Sequence, residues 1–188
     1  HGFRMAVERN GSNLQFMELG DSIQATWADV EIMDVPEAKH IIRTVDDWKA
    51  FAKDVAEGKN SASAVLANDL DLGDCQTTIG MNDKGNGKAY MGEFDGMGHT
   101  LTVHYDGKNI HGVFLALNNA TVKNLHVAGS INSNQSTSVG GISGEVRGTT
   151  TIENCRVSAD ITSRSDIGGI TAGAKYGWNV TLKNCPFD

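Results

Sequence analysis

The sequence predicts an all-β fold, a short right-handed parallel β-helix with repeats of about 30 residues and a capping helix on its N-terminal side. Three observations carry this expectation. Thr121-Val122-Lys123-Asn124-Leu125, Thr151-Ile152-Glu153-Asn154-Cys155 and Thr181-Leu182-Lys183-Asn184-Cys185 align without a gap, each starting 30 residues after the last. Gly112-Val113-Phe114, Gly140-Gly141-Ile142-Ser143-Gly144 and Gly168-Gly169-Ile170-Thr171-Ala172-Gly173 precede the three copies at unequal distances, so a loop of variable length lies between. Finally, a single amphipathic segment stands ahead of the repeats.

In chain order, Arg4 to Glu8 and Leu14 to Leu19 read as strands around Arg9-Asn10-Gly11-Ser12, where Asn-Gly signals a hairpin. Ala25 to Met33 reads as a further strand before Pro36. Residues 1–40 are therefore expected to form a β-rich extension, or the remnant of a preceding module, and residues 41–188 the helix-capped coil. The chain begins at His1 without a Met, as an excised segment would. Thr44 to Val55 is the expected helix: Thr44 caps it, Asp46 and Asp47 suit the positive end of its dipole, and Trp48, Phe51, Ala52 and Val55 form an apolar stripe that ends at Gly58. Such a helix is suited to cover the open end of a stack. Short strands then follow over Ala64 to Leu72, Thr100 to Tyr105 and Gly112 to Leu117.

Within a repeat, Val122, Leu125 and Val127 are spaced by three and then two residues, so alternation slips at Asn124. Asparagine tolerates the left-handed backbone that a corner requires. Stacked on successive turns, Asn124, Asn154 and Asn184 would form a structural ladder of side-chain amides. The glycine pairs mark a second corner, and parallel crossovers impose the right-handed coil.

The glycine elements and the Thr-Ile-Glu-Asn-Cys and Thr-Leu-Lys-Asn-Cys strands resemble the GLUG-type repeats of bacterial surface proteins. The upstream run is similar too, from Trp48 to Val55 through Leu70-Asp71-Leu72 to Gly92-Glu93-Phe94-Asp95-Gly96-Met97-Gly98-His99-Thr100-Leu101. The resemblance covers residues 41–188. It departs from the pattern in Gly112-Val113-Phe114, which lacks the second glycine, and at the cysteines that replace Leu125 in later copies. It implies an extracellular or cell-wall-attached bacterial module of the kind found beside adhesive domains or within large IgA-directed metallopeptidases. Fold and location follow from such a likeness, whereas activity does not.

With 16 basic and 23 acidic residues, a net charge of −7 and no basic run, the chain offers nucleic acid and anionic membranes no positive patch. No apolar stretch reaches the roughly 20 residues of a membrane span, so membrane insertion is not expected. Cys155 and Cys185 share a repeat position, about one strand spacing (~4.8 Å) apart, within disulfide reach but pointing the same way. The alternative is a pair of buried thiols. Cys75 has no evident partner.

No His-Glu-x-x-His metal motif and no Gly-x-Ser-x-Gly elbow is present. Glycoside hydrolysis needs two carboxyl groups about 5 to 10 Å apart. The candidates are Asp69, Asp71, Asp74, Glu93 and Asp95, of which Asp69 and Asp71 alternate with Leu70 and Leu72 on one outward face. Asp69, Asp71 and Asp74 are also the candidate metal ligands, suited to calcium if carbonyls and water complete its shell. Tyr176 and Trp178 are the candidate ligand-binding residues: on the loop of the last repeat they either stack on sugar rings or cover the end of the coil. His126 is read as an outward surface residue. No catalytic set is assigned. The expected function is a non-catalytic surface or secreted module, adhesive, glycan- or protein-binding, or a stalk; the alternative is a fragment of a polysaccharide lyase or glycoside hydrolase acting through Asp69, Asp71 or Asp95. An open end of the coil also predicts end-to-end or edge self-association.

Overall fold

A computed structural model describes residues 5–10, 13–18, 40–81, 87–134, 138–174 and 178–188. The chain divides into two compact units, His1–Val35 and Pro36–Asp188. In the first, β1 (Met5–Asn10) and β2 (Asn13–Glu18) pair antiparallel, with Met5 opposite Glu18 and Asn10 opposite Asn13. The strand expected over residues 25–33 lies outside the described residues.

The second unit begins with β3 (His40–Ile42) and α1 (Val45–Glu57). The coil then runs through β4 (Ala64–Leu66), β5 (Leu70–Asp71), β6 (Glu93–Asp95), β7 (Thr100–Gly107), β8 (Leu117–Asn118) and β9 (Thr121–Lys123). It continues through β10 (His126–Ser133), β11 (Val139–Gly140), β12 (Val146–Arg147) and β13 (Thr149–Glu153). It closes with β14 (Arg156–Val157), β15 (Asp160–Thr162), β16 (Ile167–Gly168) and β17 (Asn179–Lys183). Every pairing in this unit between named strands is parallel, and strands from successive turns lie side by side. One face is a six-stranded sheet in the order β17-β13-β9-β6-β4-β3; a second carries β14 and β15, β10, β7 and β5. Short pairs, β11 with β16 and β8 with β12, close the third side. The architecture is a parallel β-solenoid of about four turns.

The 30-residue phase is the hydrogen-bond register itself, for Thr121, Thr151 and Thr181 stand in line, as do Val122, Ile152 and Leu182. The outward column beside them reads Asp95, Lys123, Glu153, Lys183, alternating in sign. Lys123 Nζ lies 3.1 Å from Glu93 Oε1 and 3.7 Å from Asp95 Oδ2.

At the corner that follows β9, β13 and β17 the chain enters the left-handed region at asparagine, with φ of 54° at Asn124 and 52° at Asn154 and Asn184. Their amides are bonded rung to rung: Asn184 Nδ2 donates to Asn154 Oδ1 (3.1 Å), Asn154 Nδ2 to Asn124 Oδ1 (3.3 Å) and Asn124 Nδ2 to Asp95 Oδ1 (3.0 Å). An aspartate thus begins the stack, a member the repeat alignment alone does not reveal.

The N-terminal end is closed by α1. Thr44 and Asp47 form a reciprocal capping box, and Gly58 ends the helix at φ 115°. Trp48, Phe51, Ala52 and Val55 are buried. They meet an aromatic column inside the coil: Trp48 packs edge-on to Phe94 (6.3 Å), Phe51 edge-on to Tyr90 (5.7 Å), and Tyr90 stacks on Phe114 (5.3 Å). Trp48 Nε1 and the Tyr105 hydroxyl both donate to the Thr77 carbonyl, at 2.8 and 2.9 Å, so the buried polar tips are satisfied.

Farther along, Ser143 takes the position of Phe114 in the next rung, and the core narrows to aliphatic side chains. All three cysteines are free thiols. Cys155 Sγ lies 3.3 Å from its Glu153 carbonyl and Cys185 Sγ 3.2 Å from that of Lys183, the same arrangement one rung on. Burial pushes the Cys155 thiol up to about 12.

Candidate functional site: a groove along the coil axis

On the third side, Tyr90, Leu117, Val146 and Ala174 are bridged in parallel register across four rungs. The residues just before them, Ala89, Ala116, Glu145 and Gly173, make a second column, and it lines an open groove of about 450 Å³. Ala116 and Gly144 are buried at its bottom. Three strand spacings of ~4.8 Å give the column a length of about 14 Å. Small side chains create the concavity. Gly144 is required here, because a Cβ at that position would lie 2.3 Å from the Ser138 carbonyl oxygen and 2.9 Å from His111 Cβ.

His111, Ser138, Glu145 and Arg147 supply the polar lining. His111 Nδ1 lies 3.3 Å from the Ser138 carbonyl oxygen, and burial holds its pKa below the usual imidazole range. Arg147 Nη2 donates to Glu145 Oε2 at 2.5 Å, so the two charges cancel locally. Backbone groups of the column are already committed: the amides of Tyr90, Leu117 and Val146 donate to the carbonyls of Ala116, Glu145 and Gly173, each at 2.9 Å.

The residues singled out from the sequence are distributed elsewhere. Tyr176 lies outside the described residues, and Trp178 is half-buried, four positions after the groove residue Ala174. Asp69 and Asp71 are exposed and separated by the buried Leu70, so they share an outward face. Asp69 Oδ1 accepts from the Thr100 amide (2.8 Å) and lies 3.3 Å from His99 Nδ1. Asp71 Oδ1 accepts from the Gly73 amide (2.8 Å) and lies 3.4 Å from His104 Nε2. Asp74 is exposed nearby in sequence. Among the described residues no three His, Cys, Asp or Glu side chains are grouped so as to hold a metal ion. Asp95 accepts from the Met97 amide (2.8 Å) as well as from the asparagine stack.

His126 is half-buried rather than a plain surface residue. Its Nε2 lies 2.8 Å from Ser158 Oγ and its Nδ1 3.2 Å from Thr100 Oγ1, because the neighbouring rungs bring residues 32 and 26 positions away against the ring. Burial lowers its pKa, and the charge of Arg156 adds to the effect.

Both His111 and His126 therefore bind a proton less readily folded than unfolded. The unfolded chain takes up more protons as pH falls through about 6.5, so the stability these rings contribute is present above that value and lost below it. The expected result is a lower urea midpoint at about pH 5.5 than at about pH 7.5, with the difference reduced in His111→Gln. An unchanged midpoint in the parent protein would show that the two rings titrate as they do in water.

Residues 135–162 match the family model described as the GLUG motif. The chain carries a GLUG motif. The matched segment ends at Thr162 and holds the groove residues Ser138, Gly144, Glu145 and Arg147. The spacing of the GLUG glycines has a steric cause: a Cβ at Gly141 would sit 2.4 Å from Val157 Cγ1 and 2.6 Å from the Gly169 carbonyl oxygen. GLUG motifs mark bacterial repeat domains of the extracellular type. Neither the curated proteins nor the solved structures searched gave a match. No helix among the described residues is long and apolar enough to cross a membrane.

Proposed function

We propose that the chain is a non-catalytic recognition module of a bacterial cell-surface or secreted protein, an adhesin-like coil whose ligand lies along the axial groove. The observation that carries this reading is the groove's construction: a concave column crossing four rungs on a scaffold whose backbone is bonded from turn to turn. Such a site is rigid before its ligand arrives, so little ordering entropy is lost on binding. The engagement of Asp69, Asp71 and Asp95 with backbone amides and the asparagine stack supports a binding role over hydrolysis or elimination by those carboxylates. Trp178, close in sequence to the groove's last rung, is proposed to extend the contact surface.

The test is a mixed array of glycans and surface proteins, probed with the parent protein and Trp178→Ala, in calcium and in chelator. Selective binding that weakens in the variant supports the reading, and chelator sensitivity would bring Asp69, Asp71 and Asp74 into it as calcium ligands. Release of chain ends from an acidic polysaccharide, lost in Asp69→Asn or Asp71→Asn, would replace it with the enzyme alternative.

A further inference from the structure

We propose that the groove takes a neutral, linear glycan laid along the coil axis, with about one pyranose unit to each rung spacing. This inference rests on the groove reading above and names its ligand. Three properties of the lining point to this class. Its bottom is Ala and Gly, a shallow apolar surface that receives the CH faces of sugar rings, while His111, Ser138, Glu145 and Arg147 offer donors and acceptors to hydroxyls. Its charge is balanced, because Arg147 is paired with Glu145. With a chain net charge of −7 around it, a polyanion is repelled rather than drawn in.

An extended peptide is the other polymer of suitable width, and the backbone argues against it. Peptides that add to a sheet bind through unpaired main-chain groups. Here the carbonyls of Ala116, Glu145 and Gly173 already accept from Tyr90, Leu117 and Val146, so the column presents side chains and CH surface instead. The rung spacing of ~4.8 Å is close to the advance of one pyranose in an extended chain, so each unit meets an equivalent position on the next turn.

The experiment is calorimetry with β-1,4-linked gluco- and manno-oligosaccharides, from monosaccharide to hexasaccharide, beside an oligogalacturonate of matched length and a library of extended peptides. Affinity is expected to rise with each added unit until the chain fills the column, at about three units, and then to level off. Gly173→Phe places a ring in the groove from the lining column itself, where an added Cβ meets only the Gly144 carbonyl oxygen at 3.7 Å, and is expected to weaken binding by about tenfold or more with the melting temperature little changed. Arg147→Gln combined with Glu145→Gln keeps the lining neutral and is expected to retain the preference for neutral chains. Tighter binding of oligogalacturonate or of peptides, still weakened by Gly173→Phe, would overturn the neutral-glycan assignment while leaving the groove as the site. Binding indifferent to Gly173→Phe would overturn the groove itself. Silence toward every neutral oligomer would also reject the assignment.

Discussion

Trp48→Ala is expected to lower stability by about 3 to 5 kcal/mol, the largest effect of any single truncation in the helix, because it removes a fully buried indole and leaves a cavity against Phe94. For a chain of this size that corresponds to a fall of roughly 6 to 20 °C in melting temperature. Trp48→Phe separates packing from hydrogen bonding. It keeps most of the aromatic volume and loses the bond to the Thr77 carbonyl, which still accepts from Tyr105, so its cost is expected near 1 kcal/mol. Urea denaturation of the two variants checks this. Equal losses would mean that the hydrogen bond, not the cap's apolar contact, closes the end of the coil.

The second large effect is expected in the middle of the asparagine stack. Asn154 donates to Asn124 and accepts from Asn184, and its backbone is left-handed at φ 52°. Asn154→Val loses both side-chain bonds and forces a β-branched residue into that region, for a combined cost of about 3 to 5 kcal/mol. Asn154→Gly keeps the backbone geometry and loses only the amide, so about 1 to 2 kcal/mol is expected. If both substitutions cost the same in chemical denaturation, the corner's backbone strain contributes nothing.

The coil was legible because its information is periodic. A 30-residue repeat places like residues in one column, and the registers of Thr121, Thr151 and Thr181 and of Val122, Ile152 and Leu182 follow from phase alone. The helix was legible from its cap and its four apolar positions, all buried against the coil. The groove was not. Its column, Ala89, Ala116, Glu145 and Gly173, recurs at intervals of 27, 29 and 28 residues, in the part of the repeat where loop length varies. Gly144 and Gly173 close the recurring glycine elements, but alanine and glycine carry no chemical signature and nothing in those elements announces a concavity. His111 belongs to no sequence motif, and only the neighbouring turns set it beside Ser138 and Glu145. The environment of His126 was hidden for a related reason, since its partners come from other rungs.

The alternating charges on the six-stranded face bear on how the coil finds its order of assembly. On the six-stranded face the buried column Phe94, Val122, Ile152 is apolar on every turn, so hydrophobic burial alone distinguishes a strand's proper neighbour from one a full turn further on only weakly. The column Asp95, Lys123, Glu153, Lys183 does distinguish them. A chain that skipped one turn while folding would set Lys123 against Lys183, or Asp95 against Glu153, and like charges in adjacent strands repel. The surface charges thus favour the native order of turns over one that skips a turn.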